Sequence, residues 1–150
     1  MPDFRVDGDA PLQFTLSVRG TVPAQIGDEA GRAIGEVWDY LVRKQIEPAA
    51  PPYARTTWQA GSDLEVGLPI GTAADGEGSI VAGELPGGKI AIAVHTGPPG
   101  TMGATITALR AWIREQGLRE DGVPWETYLT NPDQEPDATN WKTELSYPVA

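Results

Sequence analysis

Two stretches of the chain change from the hydrophobic period of a strand to that of a helix and back again. The first has alternating apolar residues at 13–19, a helical pattern at 28–45 that Pro48 ends, and short apolar segments at 53–58 and 64–68. Alternation is typical of a strand buried on one face, and apolar residues at i, i+3, i+4 and i+7 are typical of an amphipathic helix. This stretch predicts the order strand, helix, strand, strand.

The second half of the chain repeats that order. It has an apolar strand at 89–95, a helical pattern at 102–116, and strands at 124–129 and 141–149. Short similar segments in the two halves, such as Pro52-Tyr53 and Pro124-Trp125, support a duplication within one domain of residues 1–150. The pseudo-repeats are predicted at about 12–70 and 79–149.

Three further expectations complete the sequence map. An extra strand is expected at 79–84, entering a hairpin through 85–88. Residues 1–11 are the one segment that resembles a disordered tail. Trp38 and Trp112 lie on apolar helix faces, so both are expected to pack in the core.

Composition removes several classes of partner. The 150 residues suffice for one domain, and the net charge is −10, with 21 acidic against 11 basic residues. Nucleic acids and anionic membranes bind through cationic side chains, so neither is expected as a partner. The start of the chain lacks an apolar segment of the kind found in signal peptides and membrane anchors, and the chain has no cysteine, so a cytoplasmic location is expected.

The inventory of reactive side chains is small. With one histidine and no cysteine, a structural zinc site is excluded and no metal or other cofactor is expected. No serine lies in a nucleophile-elbow motif. His95 follows an apolar strand, which favours a structural role at the strand end. The glycines at 87–88 precede a strand, and prolines interrupt the turn at 97–100, so phosphate cradles are not predicted at either place.

Glu126 is the residue that most needs an explanation. It lies inside an aromatic-rich apolar segment, and strand alternation puts it on the same face as Tyr128, with Trp125 on the other face. Two interpretations remain open on these residues alone. Glu126 is either an edge-strand carboxylate facing water or a charge at the wall of a binding cavity.

A set of aromatic residues accompanies this acid on the predicted strands. Aromatic faces attract cations and flat apolar molecules, and a carboxylate adds a Coulomb attraction that strengthens as water is excluded. Such a wall suits large, planar, often cationic ligands. The candidate binding residues are therefore Glu126 with Tyr53, Trp125, Tyr128, Trp141 and Tyr147.

The segments 85–98, 111–113, 124–132 and 143–149 closely resemble the GyrI-like family, which includes effector-binding domains of AraC- and MerR-type multidrug regulators. The resemblance implies an α+β fold. In it, two strand-helix-strand-strand (SHS2-like) modules form a curved antiparallel sheet with two helices on one face and a central ligand groove.

The resemblance also implies roles for individual residues. The family's acid at the base of the groove corresponds to Glu126, Trp141 matches a second pocket aromatic, and Tyr53 is carried over from the other module. Because no helix-turn-helix segment precedes the domain, a stand-alone module is expected, and multidrug binding or sequestration is the favoured function.

Two alternatives to simple binding follow from the resemblance. The first is hydrolysis of cyclopropane-containing DNA-alkylating natural products, in which Glu126 is the catalytic residue that acts as general base or orients water. The second is inhibition of a protein such as gyrase through the acidic surface, which makes a protein partner an open alternative. Enzymatic activity is therefore left undecided.

Overall fold

A computed structural model of the chain describes residues 4–21, 26–57, 63–131 and 134–150, which contain eight β-strands and two α-helices. The chain divides into two compact units, Leu12–Pro86, here called the middle unit, and Met1–Pro11 with Gly87–Ala150, here called the terminal unit. Strand pairing within each unit is antiparallel, which confirms the α+β class. Trp58 and the turn expected at 60–62 lie outside the described residues.

The middle unit contains one helix and four strands in the spatial order β3-β4-β2-β5. Its core forms because apolar residues of β2 and β4, such as Leu16 and Leu68, pack against Val37, Tyr40 and Leu41 of the helix. Its elements are β2 (Gln13–Thr21), α1 (Ile26–Lys44), β3 (Tyr53–Thr57), β4 (Asp63–Ile70) and β5 (Ile80–Leu85).

The terminal unit contains the other helix and four strands in the order β1-β6-β8-β7. Ala91, Ala93 and Leu145 of the sheet pack against Leu109 and Ile113 of the helix. Its elements are β1 (Phe4–Ala10), β6 (Gly88–Thr96), α2 (Met102–Glu115), β7 (Trp125–Tyr128) and β8 (Lys142–Pro148).

The strand-helix-strand-strand order is confirmed within each unit. In both, the strand after the helix is at one end of the unit's four strands in spatial order, and the final strand of the motif pairs with both others, as β4 does with β2 and β3. The duplication itself, over residues 12–70 and 79–149, stays a prediction, as does the single domain of residues 1–150.

The prediction for Trp38 is wrong. Its side chain is 48% exposed and that of Val42 is 64% exposed, whereas Val37 and Leu41 are almost completely buried. One residue rotates a helical position by about 100°, so Trp38 and Val42 form a row beside the buried row. Trp112 does pack against the core, with its ring centroid 5.7 Å from that of Phe4.

Two other expectations about elements are corrected. Residues 4–10 are strand β1, paired with β6, and not part of a disordered tail. A strand does occupy 80–85, but the expected hairpin through 85–88 is wrong because β5 pairs with β2. Within the described residues, no helix is both long and apolar enough to cross a membrane.

Candidate functional site

The register between β7 and β8 determines which side chains surround Glu126. Glu126 pairs with Leu145 and Tyr128 pairs with Thr143, and directly paired residues lie on the same face of a sheet. Leu145 packs against α2, so Glu126 and Tyr128 lie on the face that carries α2. Alternation along the extended backbone puts Trp141 and Tyr147 on this face as well. Four of the six candidate residues therefore share one face.

Glu126 is a half-buried carboxylate with one neutral partner. Tyr128 Oη donates a hydrogen bond to Glu126 Oε2 at 3.3 Å. Burial raises the pKa of Glu126 above its usual value, and the bond from Tyr128 opposes that rise. Burial and the charge of Glu126 raise the pKa of Tyr128. Among the described residues, no Lys, Arg or His side chain makes an ion pair with Glu126.

Trp141 and Tyr147 are held in place on the same face. The indole Nε1 of Trp141 donates to the carbonyl oxygen of Glu135 at 2.7 Å, and the backbone oxygen of Trp141 accepts from Gly97 N at 2.8 Å. The Trp141 side chain remains partly exposed. Burial raises the pKa of Tyr147, and the nearby charge of Arg110 opposes that rise.

Trp125 lies on the opposite face of β7 from Glu126. It pairs with Ser146, which pairs in turn with Ile92 of β6, and its side chain is buried. The Trp125 side chain is therefore buried on the face of the sheet away from α2. Its role in ligand binding stays a prediction, as do the binding roles of the other five candidates.

Tyr53 belongs to the middle unit and contacts a second buried acid, Glu65, which the sequence reasoning missed. Tyr53 Oη donates to Glu65 Oε2. The guanidinium of Arg55 lies 3.1 Å from Glu65 Oε1, and that of Arg19 lies 3.5 Å from it. Glu65 lies inside the short apolar segment 64–68, as Glu126 lies inside its own apolar segment, so the same signal could have found it.

The two acids differ in what neutralises them. Glu65 is only 6% exposed and has two arginines and a phenol as partners, so its charge is satisfied inside the protein. Glu126 has only the phenol of Tyr128. This difference identifies Glu65 as part of a structural ion pair, whereas Glu126 has no cationic partner among the described residues.

His95 is a buried structural residue at the end of β6. Thr101 Oγ1 donates to the carbonyl oxygen of Pro98 at 2.7 Å, so it accepts from His95 Nε2–H at 3.0 Å. Nδ1 of His95 then accepts from the hydroxyl of Thr105 at 2.7 Å. Both ring nitrogens are used to join β6 to the start of α2, which agrees with the role predicted for His95.

Comparison with known proteins shows the family. The model of the GyrI-like small molecule binding domain matches residues 17–150, so the chain belongs to the GyrI-like family. A comparison with curated protein sequences gave no match.

Solved structures share the fold at low sequence identity. The EcmrR chain in an EcmrR–DNA complex superposes with a TM-score of 0.81 at 19% identity, over 99% of this chain and 57% of that one. This chain therefore spans a little over half of that protein. The isolated EcmrR C-terminal domain gives a TM-score of 0.75 at 17% identity, over 100% of this chain and 98% of that one.

Two further solved structures share the fold. A hydrolase encoded by lin2189 from Listeria innocua has a TM-score of 0.71 at 16% identity, over 99% of this chain and 91% of that one. SAV2435 bound to tetraphenylphosphonium has a TM-score of 0.62 at 11% identity, over 99% of this chain and 94% of that one. At these identities the likeness establishes the fold alone.

Proposed function

We propose that this member of the GyrI-like family binds bulky aromatic cations at the α2 face of β7 and β8, with the Glu126 carboxylate as the counter-charge. One observation carries the proposal: Glu126 is half-buried and, among the described residues, has no cationic partner. A protein that removes a carboxylate from water without pairing it internally retains an electrostatic preference for a cation.

Aromatic cations fit this arrangement better than small inorganic ones. A charge spread over aromatic rings is weakly hydrated, so such a cation loses little hydration when it approaches a partly buried acid. Tyr128, Trp141 and Tyr147 supply aromatic surface on the same sheet face as Glu126. The indole of Trp141 is fixed by its bond to Glu135, so little conformational freedom is lost on binding.

The comparisons agree with this choice of ligand. SAV2435, which shares the fold, is described as bound to tetraphenylphosphonium, a bulky aromatic cation. The EcmrR complex contains DNA, and that property belongs to EcmrR. For this chain, the net charge of −10 makes a small cation a better partner than a polyanion.

The experiment is an anisotropy titration with a phenanthridinium dye. We expect a dissociation constant in the micromolar range, about −8 kcal/mol, and a loss of about tenfold or more for Trp141→Ala. Val81→Ala is the control because Val81 is also partly exposed but lies on β5 of the middle unit. Equal losses in Trp141→Ala and Val81→Ala, or no binding by the wild type, would reject the proposed site.

Hydrolysis is a second candidate, in which the half-buried Glu126, hydrogen-bonded to Tyr128, is the general base; burial raises its pKa, as it also would in a protein that only binds. A carboxylate with a raised pKa is a stronger general base near neutral pH than an exposed glutamate. The test incubates the protein with a cyclopropane-containing alkylator and follows ring opening by mass spectrometry. Catalysis requires many product molecules per protein and a loss of roughly 10²–10⁴-fold in Glu126→Gln. Stoichiometric protection without product leaves binding as the function.

A further inference from the structure

Helix α1 presents an apolar row to solvent that its own unit does not cover. Trp38 is 48% exposed and Val42 is 64% exposed. Together with Leu41, Ile46 and Pro48 they border a hollow of about 610 Å³ at the C-terminal end of the helix. An exposed tryptophan beside an exposed valine is unusual for a surface helix, whose outward positions are normally polar.

Two glycines continue the same row toward the start of the helix. Gly31 and Gly35 lie inside α1, and a Cβ atom added at either would meet nothing within 4 Å. Glycine weakens a helix interior relative to alanine, and no contact within the described chain requires it here. At about 100° per residue, positions 31, 35, 38 and 42 fall within a stripe about 60° wide.

The spacing along this row is self-complementary. Gly31 and Gly35 are four residues apart, and so are Trp38 and Val42. A twofold axis that crosses the helix between residues 36 and 37 places Trp38 opposite the partner's Gly35. The same axis places Val42 opposite the partner's Gly31. Each large side chain thus meets a position without one, which is how helices approach closely.

We propose that the surface formed by Gly31, Gly35, Trp38 and Val42 is a homodimer interface in which two copies of α1 pack antiparallel. The antiparallel arrangement is also favourable electrostatically. It brings the start of the partner's α1, the positive end of its helix dipole, toward the hollow, and Glu47 lines that hollow.

The net charge of −10 makes a testable contribution to this association. Two copies of the chain repel each other at long range, while the proposed contact is mainly apolar and insensitive to salt. Added salt therefore strengthens the dimer. A contact made chiefly by ion pairs would weaken under the same change.

The test is sedimentation equilibrium of the full chain from about 1 µM to about 100 µM, in about 0.05 M and about 0.5 M NaCl. We expect dimers that become more stable at the higher salt concentration. Trp38→Ala should weaken dimerisation about tenfold or more. Leu12→Ala is the matched control, since Leu12 is 47% exposed but lies outside α1, and it should leave the dissociation constant unchanged.

Variants of Gly31 and Gly35 test whether these glycines lie in a dimer interface or are simply exposed on the helix. Gly31→Ala with Gly35→Ala should raise the thermal midpoint by about 2–4 °C per substitution when measured below the dimer concentration range, because alanine favours helix. The same variant should weaken dimerisation about tenfold or more. A chain that stays monomeric, or dimers that these substitutions do not affect, would overturn the proposal. So would binding of an apolar dye or peptide that requires Trp38 while the chain remains monomeric.

Discussion

Glu126 and Glu65 are the same residue type in two different environments. Both are acids inside strands, and each accepts a hydrogen bond from a tyrosine. Glu65 also contacts Arg19 and Arg55, so its burial is compensated within the middle unit. Glu126 has no such compensation among the described residues, and its pKa is raised mainly by burial. The partners, and not burial alone, therefore distinguish a structural acid from a candidate binding acid.

Replacing Glu126 by Gln should stabilise the ligand-free protein at neutral pH by about 1 kcal/mol, because an uncompensated partly buried charge is removed. The folded protein holds a proton on Glu126 more tightly than the unfolded chain does. Wild-type stability therefore falls as pH rises from the usual glutamate pKa through the raised one. Urea unfolding as a function of pH should show this gain at pH ~7 and its loss below about pH 4. A destabilised variant would mean that Glu126 has a structural cation partner.

The corresponding change at Glu65 should have the opposite sign. Glu65→Gln leaves Arg55, a largely buried cation, without its counter-charge, and we expect a loss of about 2 kcal/mol or more. Tyr53→Phe removes only the phenol hydrogen bond and should cost about 1 kcal/mol. Both are measured by urea unfolding at pH ~7. If Glu65→Gln and Glu126→Gln shifted stability in the same direction, the distinction between the two acids would fail.

At the scale of elements, the short strand β7 and its neighbour β8 assemble the candidate site. Four side chains of this region lie on the α2 face. Glu126 and Tyr128 come from β7, Tyr147 comes from β8, and Trp141 directly precedes β8. The connection from β6 to α2 fixes this arrangement, since Gly97 N donates to the backbone oxygen of Trp141. The φ of Gly97 is +128°, an angle that residues with an L side chain rarely adopt, so this turn favours glycine.

The stability of the connection from β6 to α2 depends on the hydrogen bond between His95 and the hydroxyl of Thr105. Thr105→Val removes the donor to Nδ1 of His95 inside the core, so we expect a loss of about 1–3 kcal/mol in urea unfolding. Thr107→Val is the control on the same helix, because the hydroxyl of Thr107 is exposed and donates to Gly103 O. Its effect should stay within about 0.5 kcal/mol. Similar losses in both variants would show that helix propensity, and not the histidine contact, determines the result.

The elements that the sequence did not predict have identifiable causes. β1 has few apolar residues, with Arg5, Asp7 and Asp9 along it, and becomes a strand because β6 offers an unpaired edge. The hydrophobic pattern of α1 predicts a helix, but Val37 and Leu41 and their neighbours Trp38 and Val42 are all apolar. The pattern does not say which of these two rows faces the core, which is why Trp38 was expected there. Partner choice of β5 depends on tertiary contacts, which local pattern does not contain.

For the whole molecule, more of the fold than of the site was accessible from sequence. The two strand-helix-strand-strand orders follow from hydrophobic period alone, and both are present. The shared face of Glu126 and Tyr128 also follows from alternation and is confirmed by their hydrogen bond. The partners of Glu65 could not be predicted, because they come from two neighbouring strands, β2 and β3, whose register with β4 is set by pairing. The central groove implied by the family resemblance stays a prediction.

The central claim is that Glu126 gives the domain its preference for cations. Tetraphenylphosphonium and tetraphenylborate have nearly the same shape and opposite charge, so calorimetric titration with each separates charge from shape. We expect the phosphonium to bind the wild type at micromolar levels and at least about tenfold more tightly than the borate. This preference should shrink by about tenfold or more in Glu126→Gln and persist in Glu144→Gln, which makes the same change in net charge on the opposite face of β8. Equal binding of the two ions by the wild type, or an undiminished preference in Glu126→Gln, would contradict the account.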